Sequence, residues 1–310
     1  MLQIPRDPVT RRKFLSRLAS SASLLAGAGL IPLTSLFSSS DGPLVSLVSG
    51  SDPRKALRAA LEILGTMKNF ISQGDRVLVK PNMSWDRAPE QAANTNPELV
   101  SEVVKMCFEA GAKSVKVLDR TCNNATRCYD RSGIAQAARD AGAEVNFVSE
   151  SRFEEVPIPQ GKFLTSWPIY KEAIKADRIV NVPVLKHHSM AVLTMGMKNM
   201  MGFLGGDRGQ IHREFPAKIV DIGTVLRPAL TILDATRVLT KNGPQGGSLD
   251  DVMKYDTIVA GTDVVAVDSV GASLVGKEAR ELPYLLLASE RGLGEHDLGK
   301  IRIERQELRS

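Results

Sequence analysis

The chain has 310 residues, 43% hydrophobic and 24% charged, a globular composition that excludes collagen-like, low-complexity and disordered classes. Three cysteines exclude a disulfide scaffold and cannot supply the four ligands of a zinc ribbon or ferredoxin-type cluster, and 5% aromatics argue against a stacking platform for single-stranded nucleic acid. The net charge of +5 sits mostly in residues 1–40, where Arg6, Arg11, Arg12, Lys13 and Arg17 face only Asp7; the basic balance therefore signals no nucleic-acid partner.

Residues 1–40 read as a signal peptide and linker. Thr10-Arg11-Arg12-Lys13-Phe14-Leu15 places paired arginines before an apolar stretch running from Leu18 to Leu33, the pattern of a twin-arginine export signal. Ser20, Ser21, Ser23 and Pro32 interrupt the stretch, so it makes a poor permanent span, which needs roughly 20 apolar residues. Ala26-Gly27-Ala28 offers a cleavage site. The expected partner is the twin-arginine export machinery and the expected location periplasmic, with membrane attachment only if the signal stays uncleaved.

Residues 41–310 read as a single α/β domain. Leu44–Val48 predicts a strand. Asp52-Pro53 opens a helix to about Ile71 with apolar residues at helical spacing. Arg76–Lys80 predicts a buried strand, Asn96-Pro97-Glu98 caps a helix to Ala110, and Ser114–Leu118 is the next strand. A helix over Gly133–Ala141 and a strand over Glu144–Val148 follow. In the second half, strands are predicted at Asp177–Val182, Leu230–Asp234 and Thr257–Ala260, and helices at Met190–Phe203 and Glu214–Leu226. Thr262-Asp263 caps a helix to about Val275, and Ile301–Ile303 is a final edge strand. Short connections between alternating strands and helices predict a layered α/β fold whose mixed or mainly parallel sheet is built from βαβ units.

Ligands of open α/β sheets sit beyond the carboxyl ends of strands. Four predicted strands run there into polar clusters: Lys80-Pro81-Asn82, Asp119-Arg120, Lys186-His187-His188 and Asp234-Ala235-Thr236. Lys198-Asn199 is a further oddity, since it interrupts an apolar run and must snorkel, pair or face a site. The Gly205-Gly206-Asp207-Arg208-Gly209 loop lacks the spacing of a nucleotide-binding motif. His188 and His212 with Asp119 or Asp234 are the candidate nitrogen and oxygen ligands for a metal, though no pair has the spacing that preforms a site on one helix. Asp268, on a helix face turned inward, requires a lysine, an arginine, a metal or backbone donors against it. Cys122 and Cys128 share a loop and are candidates to pair in an oxidising compartment.

Several stretches, taken together, resemble the uncharacterised bacterial and archaeal family known as domain of unknown function 362. They are Val77-Leu78-Val79-Lys80-Pro81-Asn82, Thr95-Asn96-Pro97-Glu98, Asn181-Val182-Pro183-Val184-Leu185-Lys186 with His188, Met197-Lys198-Asn199-Met200-Met201-Gly202, Leu226-Arg227-Pro228, Asn242-Gly243-Pro244, and Ala260-Gly261-Thr262-Asp263 with Ala266-Val267-Asp268. The resemblance implies a shared fold and polar site but no particular reaction or cofactor. Some members add a cysteine-rich ferredoxin-like segment, which this chain lacks.

Two functional readings follow. In the first, an enzyme-like cleft takes a small anionic ligand, with or without a metal: Lys186, His188 and Lys198 are the candidate catalytic residues, and Lys80, Asn82, Asn199, Asp119, Asp234 and Asp268 bind or orient. In the second, the chain is a non-catalytic periplasmic ligand-binding or accessory protein.

Overall fold

A computed structural model of the chain describes residues 42–309; the twin-arginine motif and its cleavage position lie outside the described residues. Strand β1 (Leu44–Ser49) leads into helix α1 (Pro53–Ile63), where Asp52 accepts the N–H groups of Arg54 and Lys55 and Pro53 occupies the first turn. The helix stops at Ile63, short of Ile71. Gly65 and Thr66 turn the chain at φ of 91° and 71°, and a separate 3₁₀ turn over Met67–Asn69 returns Met67 to the core. Strand β2 (Arg76–Pro81) follows, then α2 (Pro97–Glu109), capped by Asn96, β3 (Ser114–Val117), α3 (Ala125–Arg131), α4 (Ile134–Asp140) and the short β4 (Glu144–Val145).

A separate antiparallel pair, β5 (Phe153–Pro157) and β6 (Ser166–Tyr170), precedes the one-turn α5 (Lys171–Lys175). Next come β7 (Arg178–Val182), β8 (Val184–His188), β9 (Val192–Thr194), α6 (Gly196–Asn199) and α7 (Phe215–Gly223). The chain closes with β10 (Leu230–Leu239), β11 (Val252–Gly261), α8 (Val264–Leu274), α9 (Pro283–Glu290) and β12 (Arg302–Glu307).

The main sheet runs β12-β1-β11-β10-β7-β2-β3-β4, with β8 and β9 appended beside β10. From β10 through β7, β2, β3 and β4 every pairing is parallel, while β11 lies antiparallel to both β1 and β10. The fold is therefore α/β with a mixed, mainly parallel sheet. Apolar layers cover both faces: Val77 and Val79 join Leu57, Leu61, Val103 and Ile134, whereas Leu78, between them, joins Phe203, Ile219, Val267 and Leu285. This alternation is the period of two that strands impose. It places α1, α2 and α4 on one side of the sheet and α7, α8 and α9 on the other.

Two expectations are corrected. Met190–Phe203 is not one helix. It divides into β9, which pairs antiparallel with β8 (Lys186 opposite Thr194, His188 opposite Val192), then α6, then a 3₁₀ turn over Met200–Phe203. A run that is apolar on all sides carries no period to tell strand from helix. Asp234, expected at a strand end, lies inside the ten-residue β10, and Lys186–His188 likewise form strand β8 after the break at Pro183.

Candidate functional site

Parallel β2, β3, β7 and β10 bring their carboxyl ends to one edge of the sheet, and a cavity of about 240 Å³ opens there. Lys80, Asn82, Lys186, His188, Lys198 and Asn199 all line it. Five elements or their flanks contribute these side chains, and none could be assembled from local sequence alone.

The floor of the cavity is a buried ion pair. Lys80 Nζ lies 2.8 Å from Asp119 Oδ1, and the two side chains are 1% and 0% exposed. Lys80 also donates to Pro81 O at 2.9 Å and Asn199 Oδ1 at 3.0 Å. The other carboxylate oxygen of Asp119 accepts Met83 N–H and Ser84 Oγ–H, each at 2.8 Å. Burial lowers the Lys80 pKa and Asp119 opposes the shift. Gly202 passes directly over this pair. A Cβ there would stand 1.9 Å from Asp119 Oδ1 and 2.5 Å from Lys80 Nζ, so the position admits no side chain.

Asn199 organises the next layer. Its Nδ2 donates to Lys80 O at 3.0 Å and Asn181 Oδ1 at 2.9 Å, while its Oδ1 accepts from Lys80 and from Asn82 Nδ2 at 3.3 Å. Asn82 is in turn held by Thr95 Oγ1, which accepts its N–H at 2.8 Å and donates to Val182 O. Buried amides whose donors and acceptors are all occupied hold one arrangement.

Lys186 and Lys198 differ from Lys80 in having no carboxylate partner among the described residues. Lys186 is buried; its Nζ donates to Ala93 O, lies 3.4 Å from Asn82 Oδ1, and sits 5.7 Å from the centre of the Trp85 ring. Half-buried Lys198 contacts Met201 Sδ at 3.8 Å and lies 5.7 Å from the Phe215 ring centre. Burial, then the nearby Lys198 charge, pulls the Lys186 pKa to about 7. Burial lowers that of Lys198 to about 8, with Arg208 and Lys80 adding to the shift.

His188 shares the face of β8 with Lys186, two residues away, while His187 turns aside and accepts the Gly243 N–H at 3.1 Å. His188 Nδ1 accepts the N–H groups of Met190 and Ala191, both at 3.2 Å. The neutral ring therefore carries its proton on Nε2, which makes it a hydrogen-bond donor. Burial, followed by the charges of Lys198, His212 and Lys186, lowers its pKa to about 2. His212 stacks on it at 5.5 Å between ring centres and is itself lowered to about 4, chiefly by burial.

Two expected members are outside the cavity. Asp234 accepts Asn96 N–H at 2.7 Å, Thr236 N–H at 2.9 Å and Thr236 Oγ–H at 2.7 Å. It thereby fixes the residue that caps α2. Asp268, on α8, accepts Gly196 N–H at 2.6 Å and Met197 N–H at 2.9 Å; backbone donors meet it, and it anchors the turn that delivers Lys198 and Asn199. Burial pushes its pKa up to about 7 against the pull of these two bonds. The candidate metal set does not assemble, because Asp119 is engaged by Lys80 and Asp234 by Asn96 and Thr236. No group of three or more His, Cys, Asp or Glu side chains converges among the described residues. Cys122 and Cys128 are free thiols.

Sequence reasoning did not single out Arg208 as a site residue, nor Ser84, Trp85, Thr95 or Asn181. Arg208 bridges to the β3 exit, donating to Arg120 O at 2.6 Å, Thr121 O at 2.7 Å and Cys122 Sγ at 3.2 Å. An arginine inside a glycine-rich loop was the available signal.

Fold and cleft together define a mixed-sheet α/β protein with a lysine-rich site at the strand ends. The model of the family described as domain of unknown function (DUF362) matches residues 77–273, and the chain belongs to that family. It is similar to the thylakoid-associated protein sll1697 of Synechocystis, 29% identical over 255 residues that cover 77% of this chain and 74% of that one. Among solved structures it resembles the lactate racemase apoprotein of Thermoanaerobacterium thermosaccharolyticum, with a TM-score of 0.42, 15% identity, and coverage of 70% of this chain and 53% of that one. It also resembles a protein from Thermotoga maritima, with a TM-score of 0.41, 11% identity, and coverage of 78% and 60%. The chain thus spans between half and two thirds of the length of the solved structures it matches.

Proposed function

We propose that this is an exported protein whose cleft binds a small anion and acts on it. One observation carries the reading: Lys186 and Lys198 enter a single 240 Å³ cavity with no carboxylate to neutralise either. A buried cation without a counter-ion is costly, and an anionic ligand would offset that cost. Lys198 stays protonated at neutral pH and supplies the steady charge. Lys186 stands near its midpoint, and His188 contributes an N–H donor. Lysines with lowered pKa in a cleft favour a catalytic role over passive binding. Lys80 and Asp119 shape the floor; Asp234 and Asp268 are positioning residues behind it.

Calorimetric titration with phosphate and with short mono- and dicarboxylates tests the reading. Binding that weakens at least tenfold in Lys198→Met supports it; no binding of any such anion between pH 6 and 8 refutes it. The export half rests on Arg11-Arg12. Arg11→Lys with Arg12→Lys should hold the protein in the cytoplasm, and a normal periplasmic yield from that double variant would refute export by the twin-arginine route.

A further inference from the structure

We propose that Lys186 is a nucleophile that forms a Schiff base with a small 2-oxo acid bound in the cleft. The inference rests on the anion-site reading and narrows it to a substrate class. The argument begins with the contrast between the lysines. Lys80 is locked by Asp119, Pro81 O and Asn199 Oδ1, so its amine is committed as a structural ammonium. Lys186 Nζ, by contrast, meets only neutral groups: a backbone carbonyl, an amide oxygen at 3.4 Å and an indole ring. Nothing there requires the amine to be charged, and the low polarity of the site favours the neutral form that carries a lone pair. The shift of its pKa to about 7 agrees with this placement.

The second part of the argument is the company it keeps. Lys198 and Arg208 line the same cavity and are suited to a carboxylate. A carboxylate held by them sets an adjacent carbonyl carbon before a neighbouring amine, which is the arrangement of a 2-oxo acid. His188 lies on the same face of β8 with its proton on Nε2, so it offers a donor to the carbonyl oxygen as negative charge develops there. The step balances without a redox partner. The amine lone pair forms the C–N bond and the C=O π electrons move to oxygen. That oxygen leaves as water, taking one proton from the attacking nitrogen and a second from the medium, and a protonated imine remains.

The test uses the full chain with 2-oxobutyrate and sodium borohydride, followed by intact mass and peptide mapping. The expected result is one reduced adduct per chain on Lys186, suppressed by excess 2-hydroxybutyrate, which has the carboxylate but no carbonyl, and absent in Lys186→Arg. Titration of both acids without borohydride separates the two ideas. If both bind and no adduct forms, or the adduct maps to Lys198 or to surface lysines, the Schiff base is overturned and the anion site stands. If neither binds, both are overturned. Mapping on the unmutated protein keeps the result decisive even if Lys186→Arg does not fold.

Discussion

Replacing Gly202 by alanine probes the floor of the cleft through a single methyl group. The backbone there is not in the left-handed region, so alanine brings no conformational strain and the effect is steric. Its Cβ would lie 1.9 Å from Asp119 Oδ1, 2.4 Å from Lys80 Cε and 2.5 Å from Lys80 Nζ, whereas real Cβ atoms essentially never approach closer than 3.0 Å. Asp119 cannot simply swing away, because its other oxygen holds Met83 N–H and Ser84 Oγ–H. Lys80 is pinned by Pro81 and Asn199. The methyl must therefore part the two charges in a site with no water to receive them. Breaking a buried pair costs about 3–5 kcal/mol, a large share of the roughly 5–15 kcal/mol that stabilises a domain. Urea unfolding followed by circular dichroism reads the loss as a lower midpoint at unchanged slope. Gly223→Ala is the matched control: its Cβ would meet Leu293 and Met197 at 3.4 and 3.5 Å, ordinary contact, and a change of no more than about 1 kcal/mol is expected. A Gly202→Ala midpoint that moves no further than that of the control would refute the reasoning.

The remaining predictions concern the groups around the floor. Asp268→Asn replaces one of two acceptors by a donor facing a backbone N–H, so it should cost about 1–3 kcal/mol and loosen the Gly196 turn; an unchanged thermal midpoint would show that the carboxylate anchors nothing. His188 should contribute to acid sensitivity. Its folded pKa, about 2, lies below the ordinary 6.5 under the influence of burial, Lys198, His212, Lys186 and His187. The unfolded chain therefore binds the proton more readily, and stability falls as pH drops from 6.5 toward 2. His188→Gln should lose less stability than the parent between pH 7 and 5 in urea titrations, and an identical loss in both would contradict the assignment. Anion affinity should fall as pH rises through about 7 to 8, where Lys186 and Lys198 lose their protons; affinity that is flat to pH 9 would remove both from the binding face.

Much of the fold was legible because its signals are local. Asp52-Pro53, Asn96-Pro97 and Asp263 cap helices through N–H groups two or three residues away, and the alternating and helical periods of the apolar residues mark strands and helices within a single window. The polar clusters at Lys80-Asn82 and Lys186-His188 were visible for the same reason, since strand ends of a parallel sheet share an edge. The partners of each charge were not visible. Lys80, Lys186 and Lys198 look alike in sequence, yet one is neutralised by Asp119 and two are not. Asp234 and Asp268 look like site carboxylates, yet they serve backbone N–H groups at Asn96, Gly196 and Met197. The division of Met190–Phe203 into strand and turn was hidden likewise, because burial on every side erases the period. Residue type fixes which groups need partners; which partners reach them depends on register and crossover between distant strands, and only the assembled sheet decides that.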